Sequence, residues 1–270
     1  MNFTLTTIGT ASAMPVVGRN QSAQVLQVHG RLFLIDCGEN TQQGIRAAGL
    51  SFVKIEAVFI SHLHGDHVFG LFGLLSTMGM YGRTGKLAIF GPSSLANMIR
   101  FFKTWYGEEL NYEIEFHEVK ARGLEQIYLS KYVKVSAFPL QHKIETYGYR
   151  FDAVPSAKHP REAHLPSYAY ASDTAPFEKL VEYVKGVDVL YHESTYTQEM
   201  ADRALSRHHS TSVDAARCAA QAGVRTLILG HYSSRCRDIG QFLDECRPVF
   251  AQSYAAVDGD VFEIPYISRL

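Results

Sequence analysis

Seven residues, Ser61-His62-Leu63-His64-Gly65-Asp66-His67, restrict this chain more than any other stretch. Three imidazoles and one carboxylate crowd into six positions, directly behind the apolar segment 57–60 and ahead of a helical pattern that begins at 67. Imidazole nitrogen and carboxylate oxygen are ligands that Zn(II) accepts without thiolate. One ion could hardly collect four donors from so short a loop. The alternation turns His62 and His64 the same way, towards one ion, and leaves Asp66 and His67 at the helix start to face a second. Gly65 removes a side chain where backbone and metals must approach closely. The competing reading, a polar loop with surface histidines, does not explain four donors at this spacing between a strand and a helix.

The rest of the pattern is a mixed α/β chain. Residues 3–8, 24–28, 31–35, 87–90, 112–118, 132–140, 147–151, 168–171, 187–191 and 226–229 read as strands, and His29-Gly30 as a tight hairpin turn. Helices are expected at 39–48, 94–105, 176–184, 212–222 and 238–245. Gly49 and Gly223 serve as left-handed stops, and Thr211 or Ser212 as an N-cap. Strand blocks with helices between them in both halves imply two sheets faced by helices. No linker divides them, so 1–270 is expected to form a single domain.

Composition narrows the function classes. With 26 Lys plus Arg against 27 Asp plus Glu, the formal charge is -1, so binding to nucleic acid requires a local basic patch. Arg46, Arg83, Lys86 and Arg100 are candidates for it. Cys37, Cys218, Cys236 and Cys246 are scattered, which argues against a disulfide framework and fits a reducing, cytoplasmic setting. The apolar-leaning run 68–80 is broken by Gly70, Gly73 and Gly79 and is too short to span a membrane. It is also richer in Leu, Phe and Met than one core face needs, which suggests a homodimer interface.

A loop with four donors leaves coordination positions open, so further ligands are sought at other strand ends. Gln141-His142, Ser172-Asp173 and Gly230-His231 each follow an apolar strand pattern. Singly, each would read as a cap or turn residue. Together with the histidine loop they read as ligands.

These motifs resemble the metallo-β-lactamase superfamily, and within it the ribonuclease Z family of tRNA 3′-processing endonucleases. The resemblance runs through Gly9-Thr10-Ala11-Ser12-Ala13-Met14-Pro15, Arg19-Asn20-Gln21-Ser22 and Leu34-Ile35-Asp36-Cys37-Gly38-Glu39 to the histidine loop. It continues in His142 with Gly148-Tyr149-Arg150, Ala171-Ser172-Asp173-Thr174, His192-Glu193-Ser194-Thr195, His209-Ser210-Thr211 and Gly230-His231-Tyr232-Ser233. It implies a four-layer αββα sandwich and two Zn(II) ions per chain. His62, His64 and His142 would hold one, Asp66, His67 and His231 the other, and Asp173 would bridge them. It implies further that Asp36 supports the histidine loop, that Asp66 assists the attacking water, and that His209, held by Glu193, acts as the acid. The implied substrate is precursor tRNA, cut to leave a 3′-hydroxyl on the tRNA and a 5′-phosphate on the trailer. The implied assembly is a homodimer with no membrane association.

One departure stands out. Between Arg150 and Tyr168 the chain has room only for a short segment, about 151–167, where bacterial members usually carry a longer tRNA-gripping arm. Lys158, His159, Arg161 and His164 keep it mildly basic. The alternative reading with the same ligands is a small-molecule phosphodiesterase or ester hydrolase.

Overall fold

The computed structural model describes residues 3–107, 110–155 and 164–266 of the 270, in two compact units. Lys158, His159 and Arg161 lie outside the described residues.

The N-terminal unit comprises Thr4–Lys120 with Val257–Phe262. Its strands are β1 (Phe3–Gly9), the short β2 (Ala11–Ser12), β3 (Ala23–Val28), β4 (Arg31–Ile35), β5 (Ile55–Phe59), β6 (Leu87–Gly91) and β7 (Ile114–Glu118). The seven-stranded sheet runs in the order Val261–Glu263, β1, β3, β4, β5, β6, β7. β3 and β4 form an antiparallel hairpin closing at the pair Val28 and Arg31. Both turn residues adopt positive φ, 49° at His29 and 79° at Gly30, the twist that a two-residue hairpin loop requires.

From β4 to β7 the strands are parallel. Parallel neighbours need crossover connections. These contain the helices α1 (Thr41–Ala47), α2 (Gly65–Val68), α3 (Leu71–Met80) and α4 (Leu95–Tyr106). Leu95, Ile99 and Phe102 recur at helical spacing on α4 and are buried, as are Leu71, Leu74, Leu75 and Met78 on α3. They join Leu34, Val58 and Ile89 of the sheet in one apolar cluster, each such side chain contributing about 1.5–3 kcal/mol.

The single helix expected from 67 onwards is two helices. Gly70 N–H donates to the Cys37 carbonyl at 2.9 Å, and a Cβ at Gly70 would run into the Gly38 carbonyl. The chain is tied down there and starts again at Leu71. The first helix begins at Thr41 instead of 39, because Asn40 takes a left-handed φ of 66°.

The C-terminal unit is mainly Ala121–Ala256. It holds β8 (Glu125–Leu129), β9 (Val133–Pro139), β10 (Tyr147–Ala153), β11 (Ser167–Ala171), β12 (Val189–Glu193), β13 (Thr226–Gly230), the short β14 (Tyr232–Ser233) and β15 (Ser253–Ala255). Its sheet order is β15, β13, β12, β11, β10, β9, β8. β11, β12, β13 and β15 are parallel, whereas β10 is antiparallel to both β9 and β11. β9 therefore points the same way as β11. The helices are α5 (Glu178–Tyr183), α6 (Ala201–Arg207), α7 (Ser212–Ala222) and α8 (Gly240–Cys246).

Thr211 caps α7 in a reciprocal pair with Asp214, and Gly223 ends it at φ 63°. Strand β8 and helix α6 were not expected from the pattern. β8 is largely exposed and carries a register shift between Gln126 and Tyr128, while α6 buries only Ala204. Neither shows the periodicity that betrays an element. No helix among the described residues is long and apolar enough to cross a membrane.

Candidate metal centre

In sheets with parallel strands the carboxyl ends gather loops that can carry ligands. Both units follow that rule, each in its own way.

In the N-terminal unit, Asp36 follows β4 and the histidine loop follows β5, its pairing neighbour. Asp36, buried and at φ 55°, accepts hydrogen bonds from the Ser61 N–H at 2.7 Å and the Ser61 hydroxyl at 2.8 Å. It also accepts from His67 Nδ1 at 2.8 Å. Having donated its one proton to Asp36, the Ser61 hydroxyl can only accept from His62 Nδ1, 3.0 Å away. The network thus assigns the proton to Nδ1 in both His62 and His67 and turns the Nε2 lone pairs outward.

His62 Nε2 lies 3.1 Å from His64 Nδ1, and His67 Nε2 lies 3.5 Å from Asp66 Oδ2. Two donors on a tetrahedral zinc, each about 2.05 Å from it, stand about 3.3 Å apart. The loop therefore presents two donor pairs at ligand spacing. Asp66 Oδ2 also accepts from the Ala13 N–H at 2.7 Å.

In the C-terminal unit, Asp173 follows β11, Glu193 ends β12, His231 follows β13 and His142 follows β9. The pairing of Ala171 with His192 and of Glu193 with Gly230 aligns these ends. Asp173 is buried and turns its two oxygens to different histidines. Oδ1 is 3.2 Å from His231 Nε2, and Oδ2 is 3.8 Å from His142 Nε2. His142 Nδ1 donates to the His208 carbonyl at 2.9 Å, which leaves Nε2 as the ligand nitrogen. Donor atoms of Asp173, His209 and His231 gather within 4.8 Å of one another, a group that could hold a metal ion.

Glu193 organises this half. It is wholly buried; Oε1 accepts from His209 Nδ1 at 2.9 Å, Ser210 N–H at 3.0 Å and Thr174 N–H at 3.1 Å. Oε2 accepts from the Thr195 N–H at 2.9 Å and hydroxyl at 2.8 Å. Burial pushes its carboxyl up, but the charge and hydrogen bond of His209 outweigh that and hold it below the usual carboxylate range. Thr195, its proton committed to Glu193, accepts from His231 Nδ1 at 2.9 Å and so fixes that tautomer as well.

Each unit thus brings its own predicted residues together: Asp36, His62, His64, Asp66 and His67 in one, and His142, Asp173, Glu193, His209 and His231 in the other. The sequence did not single out Ser61, Thr195, the Ala13 N–H or the His208 carbonyl as working parts. The first three lie inside quoted motifs, which was the available signal. A backbone carbonyl leaves none. Of the candidate cations, Arg83 is buried and donates to the carbonyls of Gly85, Ile55 and Lys86 at 2.6–2.8 Å. It is a structural clamp. Lys86 pairs with Glu113 and Glu115, and Arg46 donates to the Tyr81 hydroxyl. Arg100 stays exposed beside Lys103, on a groove of about 350 Å³.

The family described as Anti-Pycsar protein Apyc1 matches residues 3–239. The curated protein named Ribonuclease Z of Porphyromonas gingivalis is 34% identical over 293 residues, covering 94% of this chain and 96% of its own. That alignment is longer than the 270-residue chain, so the relative carries residues with no counterpart here. The Ribonuclease Z of Cytophaga hutchinsonii is 37% identical over 303 residues, covering 98% and 97%. The crystal structure of human tRNase Z, short form, matches with a TM-score of 0.80 at 28% identity, over 97% of this chain and 99% of that one. The metallo-β-lactamase fold protein YhfI from Bacillus subtilis matches with a TM-score of 0.79 at 21% identity over 97% and 100%, a likeness of fold. The expected metallo-β-lactamase fold, mixed α/β with two large sheets and helices, is the fold found.

Proposed function

The chain belongs to the ribonuclease Z family and to the family described as Anti-Pycsar protein Apyc1, and from that premise we propose a zinc-dependent endoribonuclease that removes the 3′ trailer of precursor tRNA. The supporting observation is the pairing of donors: two pairs in the histidine loop and two on the opposite oxygens of Asp173. In three of the pairs an imidazole Nε2, its ring's proton already committed at Nδ1, faces a carboxylate oxygen, an arrangement that a cation between them relieves. Imidazole and carboxylate suit Zn(II). Burial pushes the neighbouring Cys37 thiol up to about 12, so it is no thiolate competitor.

A zinc pair takes more donors than either set supplies alone. His62, His64 and His142 would hold one ion, Asp66, His67 and His231 the other, with Asp173 on both. Bound there, the ions would activate water at neutral pH and screen charge on the phosphoryl oxygens. Water attacks phosphorus, with Asp66 orienting it or taking its proton, and the bond to the 3′ oxygen of the tRNA breaks. That oxygen needs a proton. His209 supplies it from Nε2, because Nδ1 is engaged by Glu193 at 2.9 Å, which aims the ring and favours its protonated form. The products are a tRNA 3′-hydroxyl and a trailer 5′-phosphate.

The enzyme works as a homodimer in the cytoplasm in this reading. Phe69, Met80 and Tyr81 are exposed in and beside the run 68–80, and the four thiols are free and buried. A monomer mass in sedimentation at micromolar concentration would remove the dimer. The second reading, a small-molecule phosphodiesterase or ester hydrolase, would use the same donors. Comparing kcat/KM on precursor tRNA with that on a model phosphodiester, and mapping the RNA product ends, separates the two. Preference for the model ester overturns the nuclease reading.

A further inference from the structure

Gln21 has no place in the chemistry above, yet three separate features converge on it. The segment following β2 passes beside the histidine loop, and Ala13 in it donates its N–H to Asp66 Oδ2 at 2.7 Å. Ala13 holds a left-handed φ of 48°, a conformation that costs a non-glycine residue about 1–2 kcal/mol and persists only where the surroundings impose it. A Met14 N–H to Ser12 carbonyl bond at 2.7 Å closes the turn around Ala13, and the Gln21 side chain holds it from outside. Its Nε2 donates to the Ala13 carbonyl at 3.1 Å, and its Oε1 accepts from the Glu39 N–H at 3.4 Å.

Two glycines make room for this arrangement. A Cβ at Gly9 would strike the Gln21 carbonyl oxygen, and a Cβ at Gly38 would strike both the Gln21 Cβ and the Asp66 carbonyl oxygen. Gly38 N–H in turn donates to the Ser22 carbonyl at 3.0 Å. Gln21 is buried, and its amide spans the gap between the segment carrying Ala13 and the turn carrying Glu39.

We propose that Gln21 is a positioning residue for Asp66, acting through Ala13: it locks the left-handed turn that keeps the Ala13 N–H on Asp66 Oδ2 and so sets the angle at which this carboxylate meets metal and water. The inference rests on Asp66 being a ligand, as proposed above. Its physical basis is that groups orienting a ligand carboxylate typically govern metal affinity or activity by about 10–100-fold. Without the amide, Ala13 relaxes towards negative φ, its N–H swings off Oδ2, and Asp66 gains rotamers it must lose again on binding.

The test uses the full chain loaded with zinc. Gln21→Met keeps length and volume but removes both hydrogen bonds, and Gln21→Glu keeps the acceptor for Glu39 while losing the donor to Ala13. Zinc release to a chromogenic chelator is followed alongside the melting temperature of the metal-stripped protein and single-turnover cleavage. Both variants should release zinc about ten times faster or more, with kcat lowered and KM little changed, while the metal-stripped proteins melt within a few degrees of the parent. Release at the parental rate from a folded variant overturns the proposal. So does a variant whose only change is a lower melting temperature, because that marks a purely structural glutamine. A parent chain that binds no zinc sinks the metal reading itself, which is a different failure.

Discussion

The two donor sets, one in each unit, are built on opposite plans. In the N-terminal unit four donors occupy six consecutive residues, and a single carboxylate, Asp36, orients both His67 directly and His62 through Ser61. In the C-terminal unit the donors sit at the ends of β9, β11 and β13, tens of residues apart. There Glu193 gathers His209, Thr195, Thr174 and Ser210, and Thr195 passes the order on to His231. A compact loop needs one brace because the backbone already fixes its donors. Dispersed donors need a buried hub that ties several loops at once.

That contrast can be broken experimentally, and the largest effect should come from the dispersed half. His209→Ala should slow single-turnover cleavage of precursor tRNA by about 10²–10⁴-fold, the usual worth of a positioned acid, with zinc content unchanged. Loss of zinc would instead make His209 a ligand. Next is the single brace. Asp36→Asn replaces an acceptor-only carboxylate with a group that must turn an NH₂ towards donors. It should destabilise the protein by about 3 kcal/mol in denaturant melts and weaken zinc retention. An unchanged melt would mean that the loop needs no brace.

Thr195→Val sharpens the comparison from the other side. It removes the acceptor for His231 Nδ1 while leaving Glu193 with its backbone donors and His209. A roughly tenfold weaker zinc affinity is expected, with a melt shifted by about 1 kcal/mol. The smallest effect concerns the thiols. Burial lifts Cys37 and Cys218 to about 12, so at pH 8 both remain protonated and native protein should resist alkylation. Labelling should begin only in denaturant, as mass spectrometry would reveal.

The same contrast explains what the sequence made legible. His29-Gly30, Gly49, Thr211 and Gly223 encode their turns and caps within a few residues, and the structure keeps them. The histidine loop is equally local. β8 escaped notice because an exposed, bulged strand has no alternation, and the break at Gly70 because its cause, the Gly38 carbonyl, lies thirty-odd positions away. His142, Asp173 and His231 carried little signal of their own. Each is a polar residue after a strand that read as a ligand only beside the histidine loop, and the resemblance then gave each its ion. Arg83 illustrates the reverse error, a cation that looks like a surface contact and is spent inside on backbone carbonyls.

The account turns on both donor sets serving the same pair of ions. Asp173→Ala tests it most directly, since it leaves all four donors of the histidine loop in place. Elemental analysis of protein purified without chelators should find about two zinc ions per native chain and should find them lost in the folded variant. Two tightly held ions in Asp173→Ala would contradict the account.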